Sequence, residues 1–146
     1  MNKITKIIFA GLLGGFISEG ILGVLFVNPF IKSILYNPNL QSQLFIEITP
    51  QRNLATSIVG IIVLSIIHAW LYSVLAKSIP GDTWQKKGLF WGLTVWLMYW
   101  VFQEWFIYHT LLGEPVILNA LELAILLMGS FIEGLIIAFI FRKELK

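Results

Sequence analysis

The sequence contains no cysteine, and charged residues make up only 12% of its 146 residues. The absence of cysteine excludes disulfides, thiolate metal sites and cysteine nucleophiles. Soluble domains carry roughly 25% charged and about 45–50% apolar residues, whereas hydrophobic residues make up 58% of this chain. A soluble domain of this length could not bury so much apolar surface, so the composition predicts an integral membrane protein.

Motifs for several common chemistries are also missing. The sequence has no P-loop, dinucleotide-binding fingerprint or zinc-ligand spacing, and no Glu-x-x-His pair of the kind found in diiron bundles. His68 and His109 lie roughly 19 Å apart in predicted depth, which argues against one haem shared by both. The sequence therefore indicates no particular cofactor.

Four apolar stretches are long enough to cross a bilayer, for which a helix needs about 20 residues. They cover residues 7–27, 54–76, 88–112 and 116–141, and all five prolines lie outside them. The first stretch is too long for a signal peptide, so we expect it to be retained. We predict an all-α membrane four-helix bundle, forming a single transmembrane domain over residues 1–146. Residues 28–53 form the one long connection, with short interfacial helices.

The distribution of lysine and arginine predicts the orientation of this bundle. Eight of the ten basic residues fall on one side, namely Lys3, Lys6, Lys77, Lys86, Lys87, Arg142, Lys143 and Lys146. Only Lys32 and Arg52 fall on the other side. We therefore predict cytoplasmic N- and C-termini, with the positive charges facing lipid head groups rather than nucleic acid.

Ionisable residues within the apolar stretches are the strongest functional signal. A charge at the bilayer centre costs roughly 2.5–3.5 kcal/mol, so such residues face the bundle interior and often mark function. Counted at about 1.5 Å per residue, they fall on two levels. The outer level contains Glu19, Glu104 and Glu122 with His109 just above, and the inner level contains His68 and Glu133. We predict that this polar column binds or conducts a cation, most simply a proton.

Two other readings of the column stay open. The carboxylates could form a protonated, hydrogen-bonded core that only fixes helix packing. Three carboxylates with His109 as a further ligand could instead hold a hard ion such as Mn²⁺ or Fe²⁺. On an ideal α-helix, however, His109 points about 140° away from Glu104.

Small and aromatic residues suggest how the helices pack. Gly11, Gly15 and Gly23 share the four-residue spacing of Glu19 in the first stretch, a pattern that brings helix backbones close together. Trp96 and Trp100 lie too deep for an interfacial belt, so they either fill the core or line a pocket. Asn119 and Ser130 lie on or beside the face of Glu122 and Glu133, where they could line the same pocket.

The second half of the chain resembles a known family. The segments 87–93, 113–115 and 127–129 (KGLFWGL, GEP and LMG) are similar to those of small four-span bacterial membrane proteins of unknown function. The resemblance implies the four-span architecture and supplies no activity, because no functional residue can be carried over from it.

Two other functions fit the same composition. The small size and the glycine pattern suit an accessory subunit of a larger membrane complex, or a homo-oligomer. Deep tryptophans beside a glutamate suit a protein or enzyme that binds a lipid, quinone or isoprenoid. Neither the ion, the ligand nor the oligomeric state follows from the sequence.

Overall fold

The structure of the protein, a computed structural model, describes residues 2–48 and 53–144, without the side chains of Phe45 and Ile48. Every regular element within these residues is helical. The elements are α1 (Lys3–Val27), α2 (Pro29–Leu35), α3 (Gln43–Ile48), α4 (Leu54–Leu75), α5 (Trp84–Val95), π1 (Trp96–Trp100), π2 (Gln103–Leu111), α6 (Val116–Phe141) and a 3₁₀ turn (Arg142–Glu144). The all-helical prediction is therefore confirmed for the described part of the chain.

Three helices are long and apolar enough to cross a membrane by length and composition. They are Lys3–Val27, Leu54–Leu75 and Val116–Glu144, close to the bounds predicted for stretches one, two and four. The predicted stretch 88–112 lies in a helical rod over residues 84–111, in which α5 continues into π1 and π2. The connection after α1 contains two short helices, and Arg52 and Lys146 lie outside the described residues.

Polar side chains fix where the helices begin. Asn2 Oδ1 accepts from Thr5 N at 2.8 Å at the start of α1, and Asn53 caps α4 in the same way through Thr56 N. Thr83 caps α5. Such side chains satisfy amide groups that have no partner within the first turn of a helix.

Helix α1 contacts both α4 and α6, α5 packs against α6, and α4 also contacts α6. A Cβ atom at Gly11 would lie 2.6 Å from the Ser65 carbonyl oxygen, and one at Gly15 would collide with the Ser65 side chain. These two glycines therefore bring α1 against α4, as the spacing predicts. The prediction is wrong for Gly23, because a Cβ there would meet nothing within 4 Å.

A second glycine contact, which the sequence analysis did not single out, joins α5 to α6. A Cβ atom at Gly92 would collide with the Ser130 carbonyl oxygen and lie 2.9 Å from Phe131 Cα. Gly134 faces the backbone of Gly88 in the same interface. Close backbone approach at these positions brings α5 and the rod that continues it against α6.

An aromatic cluster closes the bundle near the turn between α4 and α5. The Tyr72 ring lies 5.9 Å from both the Trp91 ring and the Phe141 ring, measured between centroids. Lys87 is buried, and its Nζ donates to the carbonyl oxygens of Ala76 and Ile79 at the end of α4. An ammonium group is well placed there, because carbonyl groups at a helix C-terminus carry partial negative charge.

Substitution of Gly92 by leucine tests the close α5–α6 contact. We expect Gly92→Leu to lower stability by about 1–3 kcal/mol, because the new side chain overpacks an interface with backbone on its far side. Gly23→Leu is the matched control, since its Cβ enters open space. Thermal unfolding in detergent measures both, and equal midpoints for the two variants would contradict the packing described here.

Candidate cation site

A short turn between the rod and α6 creates the first polar site. The turn contains Gly113, whose φ of +70° lies in the left-handed region that glycine adopts readily. The Glu114 amide donates to the Tyr108 carbonyl oxygen at 3.0 Å, and His109 Nδ1 lies 2.7 Å from the Glu114 carbonyl oxygen. Both contacts fold the backbone of Glu114 against π2, and the Glu114 side chain is only 6% exposed.

The π-helical geometry changes the relation between Glu104 and His109. A π-helix bonds residue i to residue i+5, so residues five apart lie near the same side. The 140° separation expected from an ideal α-helix is therefore wrong for π2, which spans Gln103–Leu111. His109 is held by the turn, next to Glu114.

Three glutamates converge at this site. Each of Glu104, Glu114 and Glu122 offers a carboxylate oxygen, and these oxygens lie within 4.8 Å of one another. Glu104 is 2% exposed, and its carboxyl group lies close to those of Glu114 and Glu122. We call these three residues the carboxylate cluster.

Asn119 connects the members of the carboxylate cluster. Its Nδ2 donates to Glu114 Oε2 at 2.9 Å, to Glu104 Oε2 at 3.3 Å and to the Glu104 carbonyl oxygen at 3.2 Å. Its Oδ1 is buried and has no hydrogen-bond partner among the described residues. The site therefore retains one unfilled acceptor.

Full ionisation of the carboxylate cluster is unfavourable. A hydrogen bond between two carboxyl groups requires a proton on one of them, because an ionised carboxylate only accepts. In the described part of the chain, no lysine, arginine or histidine forms a salt bridge with any of the three. Like charges this close in a buried site oppose one another's ionisation. A proton or another cation bound at the cluster would relieve this repulsion.

The electrostatics of Glu114 follow from its surroundings. Burial raises the pKa of the Glu114 carboxyl group, and the nearby Glu104 raises it further. The hydrogen bond from Asn119 and the neighbouring His109 oppose this shift. Burial is the largest of these effects, so the protonated form is favoured relative to a solvated glutamate.

A cavity of about 270 Å³ forms a second polar region. His68 Nδ1 lies 3.0 Å from Glu133 Oε1 on its wall, with side-chain exposures of 16% and 11%. Glu19, Tyr99 and Gln103 line the same space. The described helices α1, α4 and α6 and the π-helical part of the rod all contribute to this cavity.

The structure brings some of the predicted site residues together and separates others. Glu104 and Glu122 meet, and so do His68 and Glu133. Glu19 was predicted to join the outer carboxylates, but it lines the cavity with His68 instead. Depth counting could not give the direction of Glu19 around α1.

Some of the predicted pocket residues line the cavity, and others lie elsewhere. Trp100 and Ser130 line the cavity as expected. Trp96 packs in a core cluster with Leu22, and its indole Nε1 donates to the Leu123 carbonyl oxygen at 2.8 Å. Asn119 belongs to the carboxylate cluster, so its assignment to the pocket wall is wrong.

Glu114 is the functional residue that the sequence analysis missed. It lies in a turn outside the four predicted apolar stretches, although only Leu112 and Gly113 separate it from the rod. The signal that could have identified Glu114 is an acidic residue in a very short connection, five positions before an asparagine in an apolar helix. A turn this tight leaves the side chain within reach of the bundle.

No protein-family model, curated protein or solved structure matches the chain. The resemblance to small four-span proteins of unknown function therefore stays a prediction.

The raised pKa of Glu114 predicts a pH dependence of stability. A carboxyl group whose pKa is higher in the folded state stabilises the fold fully below its ordinary pKa. This contribution is lost as pH rises through the folded-state value. We expect the thermal midpoint in detergent to fall over this interval, and Glu114→Gln to reduce the slope because glutamine does not titrate.

The exposed Glu47 provides the matched control for this measurement. Glu47→Gln removes one carboxyl group at the surface and should keep the wild-type slope. A Glu114→Gln protein with the wild-type slope would show that Glu114 does not retain its proton in the folded state.

Proposed function

We propose that the protein spans a bacterial inner membrane four times and binds or conducts a cation, most simply a proton, at buried glutamates. Three helices that are long and apolar enough to cross a membrane support the first part. The rod over residues 84–111 provides the fourth crossing. The basic residues flanking these segments favour cytoplasmic termini.

The convergence of Glu104, Glu114 and Glu122 carries the functional part of the proposal. Three carboxylate oxygens within 4.8 Å of one another, with two of the side chains buried, form a site whose charge state must be set by bound cations. A proton satisfies this requirement, because it turns one carboxylate into a hydrogen-bond donor toward a neighbouring one. Proton binding is therefore the simplest function of the site.

The cavity supplies the second level of the proposed proton route. Gln103 lines the cavity, and the next residue, Glu104, belongs to the carboxylate cluster. His68 and Glu133 form a hydrogen-bonded pair farther along the same bundle. Glu19 completes the ionisable groups on the cavity wall. Protons could pass between these groups through water in the cavity, because each of them can accept and release a proton.

The same cluster suits a hard divalent ion as the alternative occupant. Carboxylate and amide oxygens are ligands that Mn²⁺ prefers. The cluster provides three carboxylates, and the unpartnered Asn119 Oδ1 is part of the side chain that connects Glu104 with Glu114. A Mn²⁺ titration distinguishes this occupant from the proton.

Proton flux into proteoliposomes tests the proposed function. We expect wild-type protein to pass protons down an imposed pH gradient, and Glu104→Gln to reduce the rate by about tenfold or more, since glutamine cannot take up or release the proton. Glu47→Gln is the control for loss of a carboxyl group elsewhere and should match wild type.

Two results would contradict the proposal. One is equal flux through wild-type and Glu104→Gln proteins. The other is wild-type protein that neither passes protons nor binds Mn²⁺ in a calorimetric titration, which would leave the carboxylate cluster a structural core only.

A further inference from the structure

The cavity lies where α4 and the rod diverge. Near the turn that joins them, the two helices are in contact through Tyr72 and Trp91 and through Lys87. Farther from the turn, α4 packs on α1 while the rod packs on α6. Gly60 of α4 lines the space between them, and a Cβ there would meet nothing within 4 Å. The cavity therefore lies between two helices that separate with distance from the turn.

The charged groups on the wall favour a cation. Glu19 and Glu133 line the cavity, and His68 is paired with Glu133. The residues that line the cavity within the described chain include no lysine or arginine. A cavity with acidic and no permanently basic side chains attracts positive charge.

The aromatic and hydroxyl groups favour an organic cation over a bare metal ion. The Tyr99 and Trp100 rings lie 4.6 Å apart between centroids, nearly perpendicular, and both line the cavity. Aromatic faces bind ammonium groups through cation–π interactions. Within the described part, the three ligands that are close enough together to hold a metal ion are those of the carboxylate cluster, which does not lie on this wall.

Ser130 provides an independent sign of a ligand. Its side chain is 3% exposed, its Oγ has no hydrogen-bond partner among the described residues, and it lines the cavity. A buried hydroxyl group without a partner costs free energy unless a ligand or water satisfies it. The volume of about 270 Å³ is near the lower end of small-molecule pockets, about 300–1,000 Å³.

We propose that this cavity binds a small organic ammonium ion. Its charge lies near Glu19 and Glu133, its alkyl groups pack against Tyr99 and Trp100, and Ser130 accepts a hydrogen bond from the ligand or from a water bound with it. The inference goes beyond the proposed function, because it assigns an organic ligand to a cavity that the proposed proton route uses only as a passage for water.

Calorimetric titration with choline tests this site in detergent-solubilised full-length protein. We expect choline to bind, and its neutral isostere 3,3-dimethylbutanol to bind at least about tenfold more weakly, because it lacks the charge. Glu19→Gln should weaken choline binding by about tenfold or more, the scale of one charge-assisted contact.

Gly60→Leu tests the site without altering a charge. Leucine favours a helix more than glycine does, and its side chain would extend into the open cavity, so we expect folded protein without choline binding. Gly23→Leu makes the same change at a glycine outside the cavity and should bind choline like wild type.

Equal binding of choline and its neutral isostere would overturn the inference, as would wild-type choline affinity in Gly60→Leu. Glu19 and Gly60 lie outside the carboxylate cluster. Failure here therefore leaves the proton-flux result for Glu104→Gln standing, and failure of the flux measurement leaves the choline result standing.

Discussion

Asn119 lies where the rod, the short turn and α6 meet, and its amide nitrogen is hydrogen-bonded to groups from the first two of these elements. These contacts hold Glu104 and Glu114 beside the first turns of α6, which carry Glu122. Without the Asn119 amide group, the buried carboxylates of Glu104 and Glu114 would have no hydrogen-bond donor between them. Their repulsion would then favour separation of the rod from α6. The position of the rod also determines one wall of the cavity, since Tyr99 and Gln103 belong to it. The hydrogen bonds of Asn119 therefore add to the glycine contacts between α5 and α6 in placing the rod, on which both polar regions depend.

A purely structural polar core would satisfy its own hydrogen bonds. Asn119 Oδ1 and Ser130 Oγ are instead buried without partners among the described residues. The other two such atoms in that part of the chain, Tyr72 Oη and Trp91 Nε1, belong to the aromatic cluster. One unpartnered acceptor thus belongs to the carboxylate cluster and one to the cavity. A ligand or water bound at either polar region would satisfy the acceptor there.

The sequence predicts most of the fold, because the lengths of the apolar stretches and the polar residues at the ends of the helices can be read from it. The bounds of α1, α4 and α6 agree with the predicted stretches, and Asn2 and Asn53 stand where helix caps are expected. The π-helical part of the rod could not be predicted, because hydropathy does not distinguish i+4 from i+5 hydrogen bonding. That difference in geometry invalidates the predicted angle between Glu104 and His109.

Only part of the candidate site could be predicted from the sequence, for a related reason. Depth can be counted along a helix, so Glu104 with Glu122 and His68 with Glu133 were grouped correctly. Direction around the helix depends on neighbours that are distant in sequence, and Glu19 consequently belongs to the cavity. The return of Glu114 into the bundle depends on the left-handed backbone of Gly113 and on the contact between His109 and the turn. Neither feature produces a periodic pattern in the sequence.

Infrared spectroscopy of chelator-treated protein at pH 7 tests the shared proton in the carboxylate cluster most directly. A solvated glutamate, with a pKa of about 4.3, is ionised at this pH. We expect a protonated carboxyl C=O band in the wild-type spectrum that is absent when Glu104, Glu114 and Glu122 are all replaced by glutamine. A wild-type spectrum without that band, or with the same band as the triple variant, would contradict the cation-binding account of this cluster.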